Sequence, residues 1–289
     1  MSDLPPIPDP LECVLFDAGD TLLSPSPSFH GRFVQVAAEH GFELEEAAAI
    51  AAIAATVRAV EWPSDWTDPA TQRSFWLGFY RQVLVELGHR GDGEALAEAL
   101  YRSFSDPAGY KLFPDVRPAL DALAGRGVKL GVVSNFEPWL EDVLALEGVD
   151  DRFAAVAISG KLGIAKPDPG IFLAALEQAG AAAEATVHVG DQIATDVEGA
   201  LAVGITPVLL DRFDRVPAAD GHRVQSMTEL VALLDGGGSG RKGPGNPEGR
   251  GGPGNPEGRG GPGDPKGVPR WDGPRSIGVS EGPRVDRGM

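Results

Sequence analysis

The sequence predicts an α/β protein: a doubly wound parallel sheet with a helical unit inserted directly after its first strand. Two observations carry this. Short β-branched runs at ECVLF (12–16), VKLGVVS (128–134), FAAVAIS (153–159), TVHVG (186–190) and ITPVLL (205–210) are separated, from residue 114 onward, by amphipathic helical segments. Strand and helix in alternation require crossovers, and crossovers give parallel strands covered by helices on both faces. The second observation is the long gap between the first two runs, where helical periodicity replaces the β pattern.

The chain opens with MSDLPPIPDP, acidic and proline-rich, with no basic residue and no apolar stretch, so residues 1–11 read as a short tail and not as a secretory signal. The first strand holds the only cysteine, Cys13, which reads as a small buried hydrophobe. A single cysteine forms no internal disulfide, which suits a reducing cytoplasm. Residues 25–112 contain no convincing strand. Segments near 28–40, 46–60, 69–87 and 93–104 are helical in period, with Gly41, Gly88 and Gly91 between some of them, and together read as a separate helical cap. Its aromatic stretch, Glu61–Tyr80, either lines a pocket or forms the bundle's own core, the commoner use of aromatics at these spacings.

The remaining punctuation is regular. Pro138 reads as the first turn of a helix that Gly148 ends, and Asp168-Pro169 as an N-cap with its first helical residue, closed by Gly180. The body therefore divides into a core of 12–24 plus 113–235 and a cap of 25–112. After Asp235 about half the residues are Gly or Pro, and the nine-residue unit GPGNPEGRG stands at 243–251 and again at 252–260. Glycine does not recur at every third position, which excludes collagen, and this composition buries too little apolar surface to order itself, so 236–289 reads as a disordered tail. Partner binding through Trp271 and the tail arginines is the less economical reading.

Charge narrows the partners. Residues 1–235 carry 36 Asp/Glu against 16 Lys/Arg, a net of −20, while the tail is net positive. Such a body repels nucleic acid and anionic membrane surfaces, and neither is an expected partner. It also repels phosphate, unless a cation or local donors reverse the field at one place. No apolar run is long enough to span a bilayer.

In an open parallel sheet, ligands bind beyond the carboxyl ends of the strands. Asp17 and Asp20 follow the first strand, Ser134 and Asn135 the second, Lys166 the third across a short loop, and Asp191 and Asp196 the fourth. Singly, each has a plain reading: turn chemistry for Asp17 and Asp20, a helix cap for Ser134 or Asp191, a solvated charge for Lys166. Four such groups at four successive strand ends are hard to explain as capping.

FDAGDT (16–21), VVSN (132–135), KPDPGIF (166–172) and VGDQIATDVEGA (189–200) resemble, in order, the four motifs of the haloacid dehalogenase superfamily of hydrolases, and the insertion is similar to that superfamily's helical cap of the first type. The resemblance covers roughly residues 12–235. It implies a Rossmann-like core and a phosphatase acting on a small phosphorylated substrate. Asp17 would be the nucleophile, forming an aspartyl-phosphate. Asp17, Asp191 and the backbone carbonyl of Gly19 would bind Mg²⁺, supported by Asp196. Ser134, Asn135 and Lys166 would hold the transferring oxygens.

One position departs from the pattern. The superfamily's usual acid–base Asp stands two residues after the nucleophile, where this chain has Gly19; the carboxylate stands one further on, at Asp20. Asp20 is the candidate replacement, although a different turn position aims it elsewhere. Three readings follow: a working phosphohydrolase; a phosphate-responsive binding module whose aspartyl-phosphate persists; and a metal-independent dehalogenase, which lacks the same Asp. The paired carboxylates Asp191 and Asp196 speak against the last. VVSNFEPWLEDVL (132–144) resembles a branch of the superfamily whose first motif is likewise altered. Neither substrate nor oligomeric state is legible.

Overall fold

The computed structural model describes residues 4–61, 63, 68–216 and 221–237. Trp62, Trp66, Trp271 and the repeats of the tail lie outside the described residues.

Strand β1 (Cys13–Phe16) is wholly buried. Its alternating side chains feed two cores: Val14 and Phe16 pack on one face of the sheet, Cys13 and Leu15 on the other. β2 (Leu23–Pro25) then leads into the four cap helices α1 (Phe29–Glu39), α2 (Glu46–Ala59), α3 (Pro69–Glu86) and α4 (Gly93–Phe104). Their ends fall within a residue or two of the predicted segments, because capping residues mark them: Ser28, Asp68 and Asp92 accept backbone N–H bonds at the starts of α1, α3 and α4. Phe33, Ile53, Leu77, Phe79, Tyr80 and Leu100 form a cap core of their own, so the buried aromatics of the 61–80 stretch serve the bundle.

The chain returns through β3 (Tyr110–Leu112), antiparallel to β2 with Leu23 opposite Leu112 and Pro25 opposite Tyr110. This two-stranded stem contradicts the expectation of no strand up to residue 112. Three residues are too few to show a period, and the pairing itself makes them strands. Arg32 braces the stem from α1, its Nε donating to Ser103 Oγ at 2.8 Å and its Nη1 to the Gly109 carbonyl at 2.5 Å.

The core resumes with α5 (Val116–Ala124), β4 (Lys129–Ser134), α6 (Leu140–Leu146), β5 (Ala155–Ile158), α7 (Ser159–Leu162), α8 (Pro169–Ala179), β6 (Thr186–Gly190), α9 (Glu198–Ala202), β7 (Thr206–Leu210), β8 (Arg223–Val224) and α10 (Met227–Ala232). Helix α8 begins and ends as predicted, with Asp168 accepting from Gly170 N and Gly180 in the left-handed region. Helix α6 starts two residues later than Pro138 suggested, since Pro138 belongs to the turn before it.

All pairs in the six-stranded sheet are parallel, in the order β5-β4-β1-β6-β7-β8. The chain fills one side of β1 with β4 and β5, then crosses to the other with β6, β7 and β8. The order therefore reverses at β1, and the crevice between the carboxyl ends of β1, β4 and β6 is where such a sheet binds ligands. Residues 4–11, predicted as a tail, lie along the core: Ile7 and Leu11 pack on it, and Thr206 Oγ1 donates to the Pro6 carbonyl. Among the described residues no helix is long and apolar enough to cross a membrane.

Candidate active site

Asp17 leaves β1 with its backbone N–H still bonded to the Val189 carbonyl of β6, so the sheet itself fixes its position. Its side chain is buried. Oδ1 accepts the Lys166 ammonium at 2.6 Å and the Ser134 hydroxyl at 3.1 Å. Lys166 is only 3% exposed and bridges to Asp196 Oδ1, also at 2.6 Å. A buried ammonium is tolerable only with such partners. Burial alone would lower its pKa, but Asp17 and Asp196 outweigh that and raise it, so the lysine stays charged.

Asn135 sits differently from the expected contact with the transferring oxygens. Its Nδ2 donates to the Lys166 carbonyl at 2.9 Å and its Oδ1 accepts the Lys166 N–H at 2.7 Å, so the amide is committed to the backbone that carries the lysine. It positions Lys166.

After β6 the chain makes a wide helical turn, Ile193–Val197, which brings Asp196 back beneath the strand end. Asp196 Oδ2 accepts the Gln192 N–H at 3.0 Å, and Oδ1 receives His188 Nε2 at 3.0 Å besides Lys166. Burial opposes its charge, but Lys166 and the His188 bond win and hold its pKa well below the usual carboxylate range. The close approach needs Gly190, where a Cβ would stand 2.2 Å from Asp196 Cγ. His188 escaped the sequence reading. Its one signal was a polar residue inside the otherwise apolar run TVHVG, an inward-facing strand position.

Asp17, Asp191 and Asp196 offer carboxylate oxygens within 4.8 Å of one another. Burial pushes the pKa of Asp17 up against the pull of Lys166. It pushes that of Asp191 well up, with repulsion from Asp17 and Asp196 adding to the effect. Three carboxylates crowd about one ammonium, and oxygen donors of this kind could hold a hard divalent cation.

Asp20 stands outside this set of three, yet near enough that its charge adds to the upward push on Asp191 and that of Asp17 to the upward push on Asp20. It takes the left-handed region at φ +53°, its N–H bonds the Leu23 carbonyl, and its carboxylate lies 3.7 Å from Arg215 Nη1 on the loop after β7. Gly19 lies in the same turn, opposite Leu23 in an isolated bridge, and nothing stands within 4 Å of where its Cβ would be. Arg215 is another residue the sequence reading missed. Asp211 holds its loop by accepting the N–H groups of Arg215 and Val216 at 2.8 and 2.7 Å.

The family model for haloacid dehalogenase-like hydrolases matches residues 11–204. The chain belongs to this family. Haloacid dehalogenase-like hydrolase domain-containing protein 3 of Danio rerio is 32% identical over 234 residues, covering 78% of this chain and 97% of the relative. This agrees with the branch that VVSNFEPWLEDVL resembled. A phosphoserine phosphatase of Thermus thermophilus is 36% identical over 149 residues, covering 51% of this chain and 57% of that protein. Among solved structures, a phosphatase of the family from Thermococcus onnurineus superposes with a TM-score of 0.54 at 27% identity, covering 78% of this chain and 99% of that one. A magnesium-bound family member from Bacillus subtilis, at 19% identity and a TM-score of 0.64 over 78% of this chain and 99% of its own, shares the fold. The protein is thus a hydrolase of the haloacid dehalogenase superfamily, with phosphatases among its relatives.

Proposed function

We propose that this hydrolase is a Mg²⁺-dependent phosphatase acting on a small phosphorylated metabolite through an aspartyl-phosphate at Asp17. The observation that carries the reading is the set around Asp17: a buried carboxylate bonded to one lysine and one hydroxyl, beside two further carboxylates. An oxygen of Asp17 attacks phosphorus, and the bond between phosphorus and the leaving oxygen breaks, that oxygen taking the electron pair. Water then attacks phosphorus, releasing inorganic phosphate and restoring the carboxylate. Lys166 and Ser134 meet the charge that gathers on the transferring oxygens, and Asn135 keeps Lys166 in place. Asp17, Asp191 and the Gly19 carbonyl, with Asp196 in support, would hold Mg²⁺, which when bound offsets the phosphoryl charge. The phosphoserine phosphatase relative supports a phosphate ester as substrate.

Gly19 supplies no acid, and Asp20 faces Arg215. In this reading turnover of esters with poor leaving groups is slowed but not abolished, since acid–base help is typically worth about 10²–10⁴ in rate. The test is p-nitrophenol release from p-nitrophenyl phosphate with excess Mg²⁺, followed from the first turnover. Sustained turnover that vanishes in chelator supports the phosphatase; turnover unchanged in chelator sinks the metal, and release of halide from a haloacid in chelator would favour the dehalogenase reading. The same Gly19 favours a second reading, a phosphate-responsive binding module. Its signature is a burst of one equivalent followed by near silence, with phosphate retained on Asp17.

A further inference from the structure

Two residues beyond Asn135, the loop after β4 sets Glu137 against the cap. Its carboxylate makes no bond to Asp17, Ser134 or Lys166. Oε2 accepts the indole N–H of Trp139, and Trp76 of cap helix α3 also bonds the carboxylate. Oε1 is shielded from solvent and has no hydrogen-bond partner among the described residues. Aromatic rings surround the group. Trp139 lies 4.8 Å from Phe136 and 5.2 Å from Tyr110, and on the cap side Trp76 stacks on Tyr80 at 6.0 Å. The charge of Glu137 helps push up the pKa values of Tyr80, Tyr101 and Tyr110, after burial in each case, so it stands close to all three. Burial likewise raises the pKa of Glu137, opposed by the two indoles, and among the described residues no basic side chain contributes.

A carboxylate with one oxygen unpartnered, beside aromatic rings and with no cation paired to it among the described residues, is costly as a strut. Its chemistry is that of an ammonium site, where a carboxylate oxygen without a partner and neighbouring aromatic rings act together. It stands two residues from the amide that holds Lys166, on the loop that leaves β4 at the same carboxyl edge of the sheet as Asp17.

We infer that Glu137, Trp76 and Trp139 form the subsite for a cationic end of the substrate, which makes the substrate class phosphate monoesters of amino alcohols. The inference rests on the phosphatase reading and specifies it. The subsite lies between cap and core, so the ammonium enters while Trp76 and Trp139 are parted, and pairs with Oε1 as they close. The acidic body, net −20 over residues 1–235, repels a zwitterionic ester less than a plain dianion of the same size.

The test compares two esters of equal shape, O-phosphoethanolamine and propyl phosphate, which differ in an ammonium against a methyl group. Their Kd values are read by tryptophan fluorescence and calorimetry on the wild-type protein with Mg²⁺. The expected result is a preference of about tenfold or more for O-phosphoethanolamine, falling to about one in Glu137→Gln, whose amide keeps an acceptor for the indoles. A wild-type ratio near one, or a Gln variant that keeps the wild-type ratio, overturns the inference. The wild-type ratio decides the matter even if the variant fails to fold. Because Kd needs no turnover, p-nitrophenyl phosphate hydrolysis reports on the phosphatase reading separately.

Discussion

After β6, Asp191 and Asp196 stand five residues apart, and a wide helical turn brings both into the cluster with Asp17. After β1, Asp17 and Asp20 stand only three apart, yet they take different partners: Asp17 bonds Lys166, and Asp20 faces Arg215. The difference lies in what each backbone permits. At Gly190 the missing side chain makes room for Asp196 to fold beneath the strand. At Gly19 the missing side chain leaves open space, and the carboxylate that follows, on a left-handed residue, takes Arg215 as its partner. Spacing along the chain is thus a poor guide to which carboxylates meet; local backbone conformation decides it.

The comparison can be broken at several points. Asp17→Asn should abolish p-nitrophenyl phosphate turnover, a loss on the order of 10⁴-fold or more for a nucleophile; undiminished hydrolysis would remove Asp17 from that role. Lys166→Met leaves Asp17 and Asp196 buried with no counter-charge and should cost about 3–5 kcal/mol, read as a fall in denaturant midpoint. Gly19→Asp places a carboxylate where the structure has room and the acid is missing. It should raise kcat on alkyl phosphates by about 10²-fold, with far less gain on p-nitrophenyl phosphate, whose leaving group needs no proton. A equal gain on both substrates would refute the missing-acid explanation. The smallest effect belongs to Asp20→Asn, which weakens a long, partly exposed ion pair and should shift stability by about 0.5 kcal/mol or less with little change in turnover. A loss on alkyl phosphates of the size expected from general acid–base catalysis would instead show that Asp20 reaches the leaving group when substrate is bound.

Helix limits in the cap were legible because Ser28, Asp68 and Asp92 announce them locally. The five long strand runs were legible because burial on both faces demands continuous apolar residues. The stem strands and β8 were not, since elements of two or three residues exist only through their partners. Within the site, the motif residues could be found by position after each strand. Arg215 and Glu137 could not, and His188 left only the faint signal of an imidazole inside a strand run.

Local sequence therefore determined which residue types stand at the strand ends, because periodicity, capping and turn chemistry act over a few positions. Which of those side chains meet was decided by the tertiary structure. The reversal of strand order at β1 brings Asp17 between Ser134 and Asp191, and the loop after β7 brings Arg215 to Asp20. These contacts join residues up to about two hundred positions apart, and their energies depend on burial and mutual charge, which exist only once the sheet has closed.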